Sequence, residues 1–454
     1  MHLAAVNSTD LLLAYYGDDF TGSTDVLEAL ARAGIPAALF LEPPSRQDLR
    51  RFEGVRAVGV AGIARSLPAA KMEEELRPAF AALKALKPRV VHYKVCSTFD
   101  SSPEIGSIGR AIDVGQELFA SPFVPVVVGV PALARYVVFG NLFARSGLES
   151  EVYRLDRHPT MSRHPVTPMD ESDLRLHLGR QTSKRIGLFD AVELERTDAQ
   201  GRARRLEELV AAGSEVVLFD TLYERHLEAI GELLWDLAAQ GGPLFTVGSS
   251  GVEYALAAHW RRTGLVRPHD LWPSLRRERV VVVSGSCSPV TDEQIRFAVE
   301  HGFDEVPVRT EALLSPEDGK LERRRLASEA LRSLERERSV IIHTCRGPDD
   351  PRRSAFAARL DGKSSAELLG AALGDVLKDV IGRARVRRAC VAGGDTSGYV
   401  ARRLGITALE MAAPLAPGAP LCKAHAPGSA ADGLELAFKG GQVGKRDFFL
   451  SLRG

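Results

Sequence analysis

Two turns in the first half of this sequence concentrate residues able to do acid–base or polar-recognition chemistry. Gly17-Asp18-Asp19-Phe20-Thr21-Gly22 sets two carboxylates side by side, with the Thr21 hydroxyl close behind. Adjacent carboxylates repel, so burying them needs hydrogen-bond donors or a cation nearby. Such a pair can accept hydrogen bonds from a polyol or take a proton from a hydroxyl. Its ordinary reading is a solvated turn with an aspartate capping a helix. Lys94-Val95-Cys96-Ser97-Thr98-Phe99-Asp100-Ser101 crowds one cation, several hydroxyls and a carboxylate together. That mixture suits a small hydroxylated acid, with Lys94 for its carboxylate and Ser97, Thr98 and Asp100 for its hydroxyls. Gly248-Ser249-Ser250-Gly251 offers backbone N–H groups suited to an anion.

Three turns of the second half have another character. Ser284-Gly285-Ser286-Cys287-Ser288 and Gly393-Gly394-Asp395-Thr396-Ser397-Gly398 each follow an apolar run and precede a helix. Both have the layout of a phosphate cradle, in which glycines admit close backbone approach and helix N–H groups point at the anion. Asp395 would repel phosphates unless it holds Mg²⁺, directly or through water. Lys439-Gly440-Gly441-Gln442-Val443-Gly444 adds a flexible, donor-rich loop. Three such turns in one half favour nucleotide binding. Other signals fall away. Gly362-Lys363-Ser364 imitates a Walker A ending, but Ala357 stands where the first glycine is required. No GxGxxG dinucleotide fingerprint is present, and His158 and His164 lack the helical spacing of a zinc pair.

These turns need a scaffold that brings strand ends together. Leu11–Tyr16, Val90–Tyr93, Val126–Val130, Val216–Phe219 and Leu244–Val247 are short apolar runs, most of them rich in β-branched residues, and read as strands. The first leads into a helix near Ser23–Ala33, whose Val26, Leu27 and Leu30 share a face and whose stop is Gly34. Val280–Val283, Val340–His343 and Ala389–Ala392 continue the pattern, with helices near Thr291–Glu300 and Ala366–Ile381. Thr291 and Gln294 match a capping box, and charged Lys320–Arg338 reads as a solvated helix with loop ends. Strands alternating with helices predict an α/β protein of two domains, each a mainly parallel sheet flanked by helices. The expected boundaries are residues 1–263 for the first domain, 264–279 for an arginine- and proline-bearing linker, and 280–454 for the second.

A chain of 454 residues exceeds what one core usually supports, which agrees with two domains. Lys+Arg and Asp+Glu balance at 59 each, against a general nucleic-acid or anionic-membrane surface. No apolar run is long enough to span a bilayer and no signal peptide is read, so no membrane partner is expected. Five scattered cysteines without CxxC spacing predict reduced thiols and a cytoplasmic protein.

In this order, the motifs resemble the four-carbon acid sugar kinase family over nearly the whole chain, from about Leu11 to Leu452. The first half matches through Gly17–Asp25, Tyr93–Ser101 and His164-Pro165-Val166-Thr167-Pro168-Met169. The second matches through Ser284–Ser288, Gly393–Ser397 and the Gly440–Gly444 loop, which departs from the commoner Ser-Gly-Asn-Phe-Gly form. The resemblance implies an ATP-dependent kinase acting on the terminal 4-hydroxyl of threonate, erythronate or 3-oxo-tetronate, with an interdomain active site. It places Asp18, Asp19, Arg65, Lys94, Val95, Cys96 and Ser97 in the sugar-acid site, to which the chemistry of the two turns adds Thr21, Thr98 and Asp100. Ser284, Ser286, Gly393, Gly394, Asp395, Thr396 and Gly441 fall in the ATP site, Asp395 with Mg²⁺ through water. Asp18 and Asp19 are the expected catalytic pair. ATP and the sugar acid are the expected small-molecule partners, with a homodimer as the assembly of highest base rate. The alternative function is a non-catalytic, nucleotide-gated sugar-acid sensor.

Overall fold

Alternating β-branched strands and amphipathic helices recur along the chain in the computed structural model, which describes residues 10–146, 151–164, 166–267, 272–360 and 364–454. Residues 268–271 of the expected linker, Pro165 and the Gly362-Lys363 pair lie outside the described residues. The chain divides into two compact units, Met1–Ala37 with Glu42–His269, and Ala38–Leu41 with Asp270–Gly454. One short stretch of the N-terminal half is thus counted with the second unit.

In chain order the first half supplies β1 (Leu13–Gly17), β2 (Ala37–Phe40), β3 (Ala57–Ala61), β4 (Val90–Lys94), β5 (Val124–Val127), β6 (Arg135–Val138), β7 (Asn141–Arg145), β8 (Val152–Arg154), β9 (Ile186–Phe189), β10 (Val216–Phe219) and β11 (Leu244–Gly248). The main sheet of the first unit has the order β3-β1-β4-β11-β5-β10-β9, and every pairing in it is parallel. Register decides what this sheet presents. Gly17 lies opposite Lys94, Lys94 opposite Gly248, and Gly248 opposite Val127. Turns far apart in sequence therefore leave one sheet edge side by side, where open α/β sheets hold their ligands. A small antiparallel sheet, β6-β7-β8, accompanies it.

The second half supplies β12 (Val280–Ser284), β13 (Phe303–Pro307), β14 (Ser339–His343), β15 (Arg388–Ala392), β16 (Ala408–Ala416), β17 (Ala419–His425) and β18 (Glu435–Lys439). Parallel β13-β14-β12-β15-β18 is extended by antiparallel β17 and β16, and β16 pairs antiparallel with β2. Ser284 lies opposite both His343 and Ala392, and Ala392 opposite Lys439, so the three glycine-rich turns also share an edge. The central runs Val280–Val283 and Ala389–Ala392 are wholly buried, as strands covered on both faces must be.

The helix Phe20–Arg32 follows the expectation, with Asp19 as N-cap, Val26, Leu27 and Leu30 buried, and Gly34 at φ +83°. The expected strand Val126–Val130 is instead Val124–Val127, and just beyond it Ser249 Oγ donates to the Val128 carbonyl at 2.6 Å. The charged stretch at 320–338 belongs to a helix, Pro316–Glu335, that is far from wholly solvated. Leu326, Ala327, Ala330, Leu331 and Leu334 form a buried stripe, so the solvated reading is corrected to an amphipathic helix. Among the described residues no helix is long and apolar enough to cross a membrane.

Candidate active site

Arg65, on the short helical turn Ala64–Ser66 after β3, resolves the repulsion between Asp18 and Asp19. Its Nε and Nη2 donate to the two oxygens of Asp18 at 3.2 and 2.8 Å, and its Nη1 donates to Asp19 Oδ2 at 2.9 Å. The guanidinium is suited to this task because its donors form a rigid fork. Its backbone N–H also donates to the Asp18 carbonyl, at 3.0 Å. Asp19 has further partners: as helix N-cap it accepts from Gly22 N at 2.7 Å, and Thr21 Oγ1 donates to it at 2.9 Å.

The Asp18 side chain is 4% exposed, whereas that of Arg65 is 26% exposed. Burial pushes the Asp18 carboxyl up to about 6; Arg65 opposes the rise and the Asp19 charge adds to it. One acid of the pair thus titrates near neutrality while the other is fixed as a cap. Lys94, buried at the end of β4, places Nζ 3.9 Å from Asp25 Oδ2. Gly22 allows this crowding, since a Cβ there would stand 2.4 Å from Asp19 Oδ1 and 3.0 Å from Lys94 Nζ.

The turn after β4 completes the first cluster. Val95 is buried, and its N–H donates to the Gly248 carbonyl at 2.7 Å. Cys96 Sγ lies 3.0 Å from Thr98 Oγ1, which donates to Asp100 Oδ1 at 2.7 Å. Burial and the Asp100 charge push the Cys96 thiol up to about 11, so it is a neutral group and no nucleophile at pH 7. Burial also acts against the Asp100 carboxylate, yet Arg65 and the Thr98 hydroxyl bring it below its ordinary value. Ser97 is half-buried on the same turn. The structure thus brings the Asp18–Thr21 turn, Arg65 and the Lys94–Asp100 turn into one cluster. Three groups there escaped selection from sequence. Asp25 lies against Lys94, Arg135 interacts electrostatically with Cys96, and His164 with Asp100. Asp25 and His164 stood inside the quoted motifs; nothing local marked Arg135.

The second cluster is made of backbone and hydroxyls. Gly393 (φ +127°) caps the helix Gly394–Arg403 and lets its N–H donate to the Lys439 carbonyl at 2.9 Å. A Cβ on Gly285 would fall 2.2 Å from Thr396 Oγ1, and one on Gly441 would fall 2.8 Å from Ser286 Oγ, so the three turns touch. Ser286 N donates towards Ser284 Oγ at 3.4 Å, and Ser286 Oγ donates to Thr291 Oγ1 at 3.0 Å. Asp395 is exposed in the first helical turn, where Gly394 and Thr396 flank it.

Thr291 and Gln294 form no capping box. Ser288 caps the helix Pro289–Glu300, with Pro289 in its first turn, while Thr291 Oγ1 donates to the Gly441 carbonyl at 2.8 Å. Gln294 Nε2 reaches the carbonyls of Val443, Gly444 and Lys445 at 2.9–3.0 Å. Two residues read as local caps are the struts of the 440–445 loop.

This cradle fits a polyphosphate: small residues leave room for it, and a helix begins at the turn. Among the described residues no group of three or more acid, histidine or cysteine side chains could hold a metal ion. A single exposed acid, Asp395, therefore fits a magnesium ion held chiefly by phosphates and water.

Comparison with known proteins agrees with this division of labour. Residues 13–256 match the family model of a sugar-binding N-terminal domain, and residues 281–449 that of a nucleotide-binding C-terminal domain. The chain is 48% identical to a 3-oxo-isoapionate kinase of Paraburkholderia graminis, across 98% of its own length and 94% of the relative's. It is 32% identical to a 3-oxo-tetronate kinase of Salmonella typhimurium, across 97% and 98%. A solved structure from Salmonella typhimurium LT2 shares the fold with a TM-score of 0.77 at 29% identity, covering 97% of this chain and 98% of that one.

Proposed function

Because the chain belongs to the four-carbon acid sugar kinase family, we propose that it transfers the terminal phosphoryl group of ATP to the 4-hydroxyl of a 3-oxo sugar acid. The observation that carries this reading is the Arg65 fork across Asp18 and Asp19, beside the Lys94–Asp100 turn, in the unit that matches a sugar-binding domain. Lys94 would meet the substrate carboxylate, and Thr21, Ser97, Thr98 and Asp100 its hydroxyl and oxo groups. Asp18 would accept the hydroxyl proton: its carboxyl titrates near 6, so it is ionised at pH 7 yet basic enough to help. Asp19, engaged by Gly22, Thr21 and Arg65, would hold the turn in place.

In the second unit Ser284, Ser286, Gly393, Gly394, Thr396 and Gly441 would cradle the nucleotide phosphates, and Asp395 would hold Mg²⁺ through water. When bound, that ion would neutralise phosphate charge, which is most of what phosphoryl transfer asks of a protein site. The relatives bear kinase names, which leaves the sensor reading without support. Five free thiols fit a cytoplasmic enzyme, and a homodimer is the assembly we propose on base rate.

The test is ADP release from Mg·ATP over a panel of 3-oxo-isoapionate, 3-oxo-tetronate, threonate and erythronate. 3-Oxo-isoapionate leads the panel because the relative named for it is 48% identical. Turnover of a 3-oxo acid well above threonate and erythronate is expected. Turnover of threonate or erythronate in preference to both 3-oxo acids would refute the substrate assignment, and no turnover of any acid would refute the reaction.

A further inference from the structure

Lys439, the last residue of β18, is fully buried, and among the described residues no carboxylate pairs with it. Its ammonium donates to Thr291 Oγ1 at 3.0 Å and reaches the Gly441 carbonyl at 3.5 Å. It also stands 5.9 and 5.8 Å from the ring centres of Phe448 and Phe449. Thr291 Oγ1 is the hub of this arrangement. It accepts from Lys439 and Ser286 Oγ and donates to the Gly441 carbonyl, so one ammonium ties the turn after β12 to the loop after β18.

Folding stability gives no reason for a lysine there. An unpaired ammonium removed from water is costly, and two neutral oxygens and two aromatic rings compensate it only in part. Burial accordingly pulls its ionisation down to about 8, the charge remaining at pH 7. Methionine, of similar length and favourable against aromatic rings, would fill the same space at no electrostatic cost. The ammonium has three donors and two protein acceptors. An uncompensated cation beneath a ring of small residues is what a bound polyanion would complete.

We propose that Lys439 is a positioning residue of the nucleotide site, an unpaired cation that holds the Gly441 loop against Ser286 and attracts the nucleotide phosphates through the cradle above it. This rests on the nucleotide reading of the second unit. Full-length wild type, Lys439→Met and Lys439→Gln are compared by calorimetric titration with ADP and by thermal melting without nucleotide. ADP affinity should fall about ten- to a hundred-fold in both variants. The melting temperature of Lys439→Met should stay level or rise, a split that a merely structural lysine would not produce. Lys439→Gln keeps a donor but not the charge, so it serves should Lys439→Met fail to fold. Wild-type ADP affinity in whichever variant folds overturns the role of Lys439 alone. Parallel losses of affinity and melting temperature in the variants, or failure of both to fold, also overturn it. A wild-type chain that binds no ADP overturns the nucleotide reading and this inference together.

Discussion

Arg65→Met removes the cation that hydrogen-bonds to both acids of the Asp18–Asp19 turn, and its consequences have a calculable pH dependence. Three charge-assisted hydrogen bonds are lost, two of them to an Asp18 side chain only 4% exposed. Breaking a buried ion pair by deleting one partner costs about 3–5 kcal/mol; the lower end applies because Arg65 itself is 26% exposed. The orphaned acid can escape that cost by taking a proton. In the wild type Asp18 titrates near 6, above its ordinary 3.8, so its contribution to stability is fully present below about pH 4 and is lost as the pH rises through 6. Without Arg65 the loss continues to higher pH. The difference between variant and wild type should be small below pH 6 and grow by about 1.4 kcal/mol per pH unit above it. It should level off near 3 kcal/mol roughly two units later. Urea denaturation of both proteins at intervals from pH 5 to 8.5 measures this directly. A destabilisation that is the same at pH 5 and pH 8.5 would refute the account, because it would arise from lost packing and not from an orphaned charge. In the same variant the KM for the sugar acid should rise while ADP affinity is kept.

Asp18→Asn should lower kcat about a hundred-fold or more with ATP affinity intact, whereas Asp395→Asn should weaken Mg·ATP binding; near-normal kcat in both Asp18→Asn and Asp19→Asn would remove proton transfer from this pair. Asp220, wholly buried after β10, accepts from the backbone N–H groups of Phe139, Gly140 and Ala191 at 2.6–3.0 Å. Asp220→Ala orphans all three donors and should cost about 3 kcal/mol, lowering the melting temperature by roughly 6 °C or more; an unchanged melting temperature would count against it. The neighbouring Cys345 thiol lowers the ionisation of Cys287 below that of an ordinary thiol, whereas burial pushes Cys96 up to about 11. Iodoacetamide at pH 7.5 should therefore label Cys287 before Cys96, and ADP should slow the reaction because Cys287 lies between Ser286 and Ser288. Mass spectrometry that finds Cys96 modified first, or no protection by ADP, would contradict this.

Much of this protein was legible from local chemistry. β-Branched runs such as Val280–Val283 announce strands, Asp19 and Gly34 bracket a helix, and acid-rich or glycine-rich turns announce what each half would hold, because each property depends on residues a few positions apart. Strand order is different. That β1, β4 and β11 are neighbours, and that Gly17, Lys94 and Gly248 fall in register, follows from how whole sheets pack, and no spacing in the sequence encodes it. Arg65 shows the consequence: family resemblance placed it in the sugar-acid site, but only the fold shows its guanidinium neutralising two acids more than forty residues away. Thr291 and Gln294 show the converse. Their spacing satisfies a local capping rule, yet Ser288 and Pro289 start the helix, and the two side chains donate instead to carbonyls of the distant 441–445 loop. The charged helix Pro316–Glu335 hid its buried stripe in the same way, since composition counts residues while burial depends on which face meets the sheet. Lys439 carries the distinction furthest: the sequence shows a lysine before two glycines, and only tertiary packing makes it a buried cation with no carboxylate partner among the described residues, because the compensation of charge is set by everything folded around it.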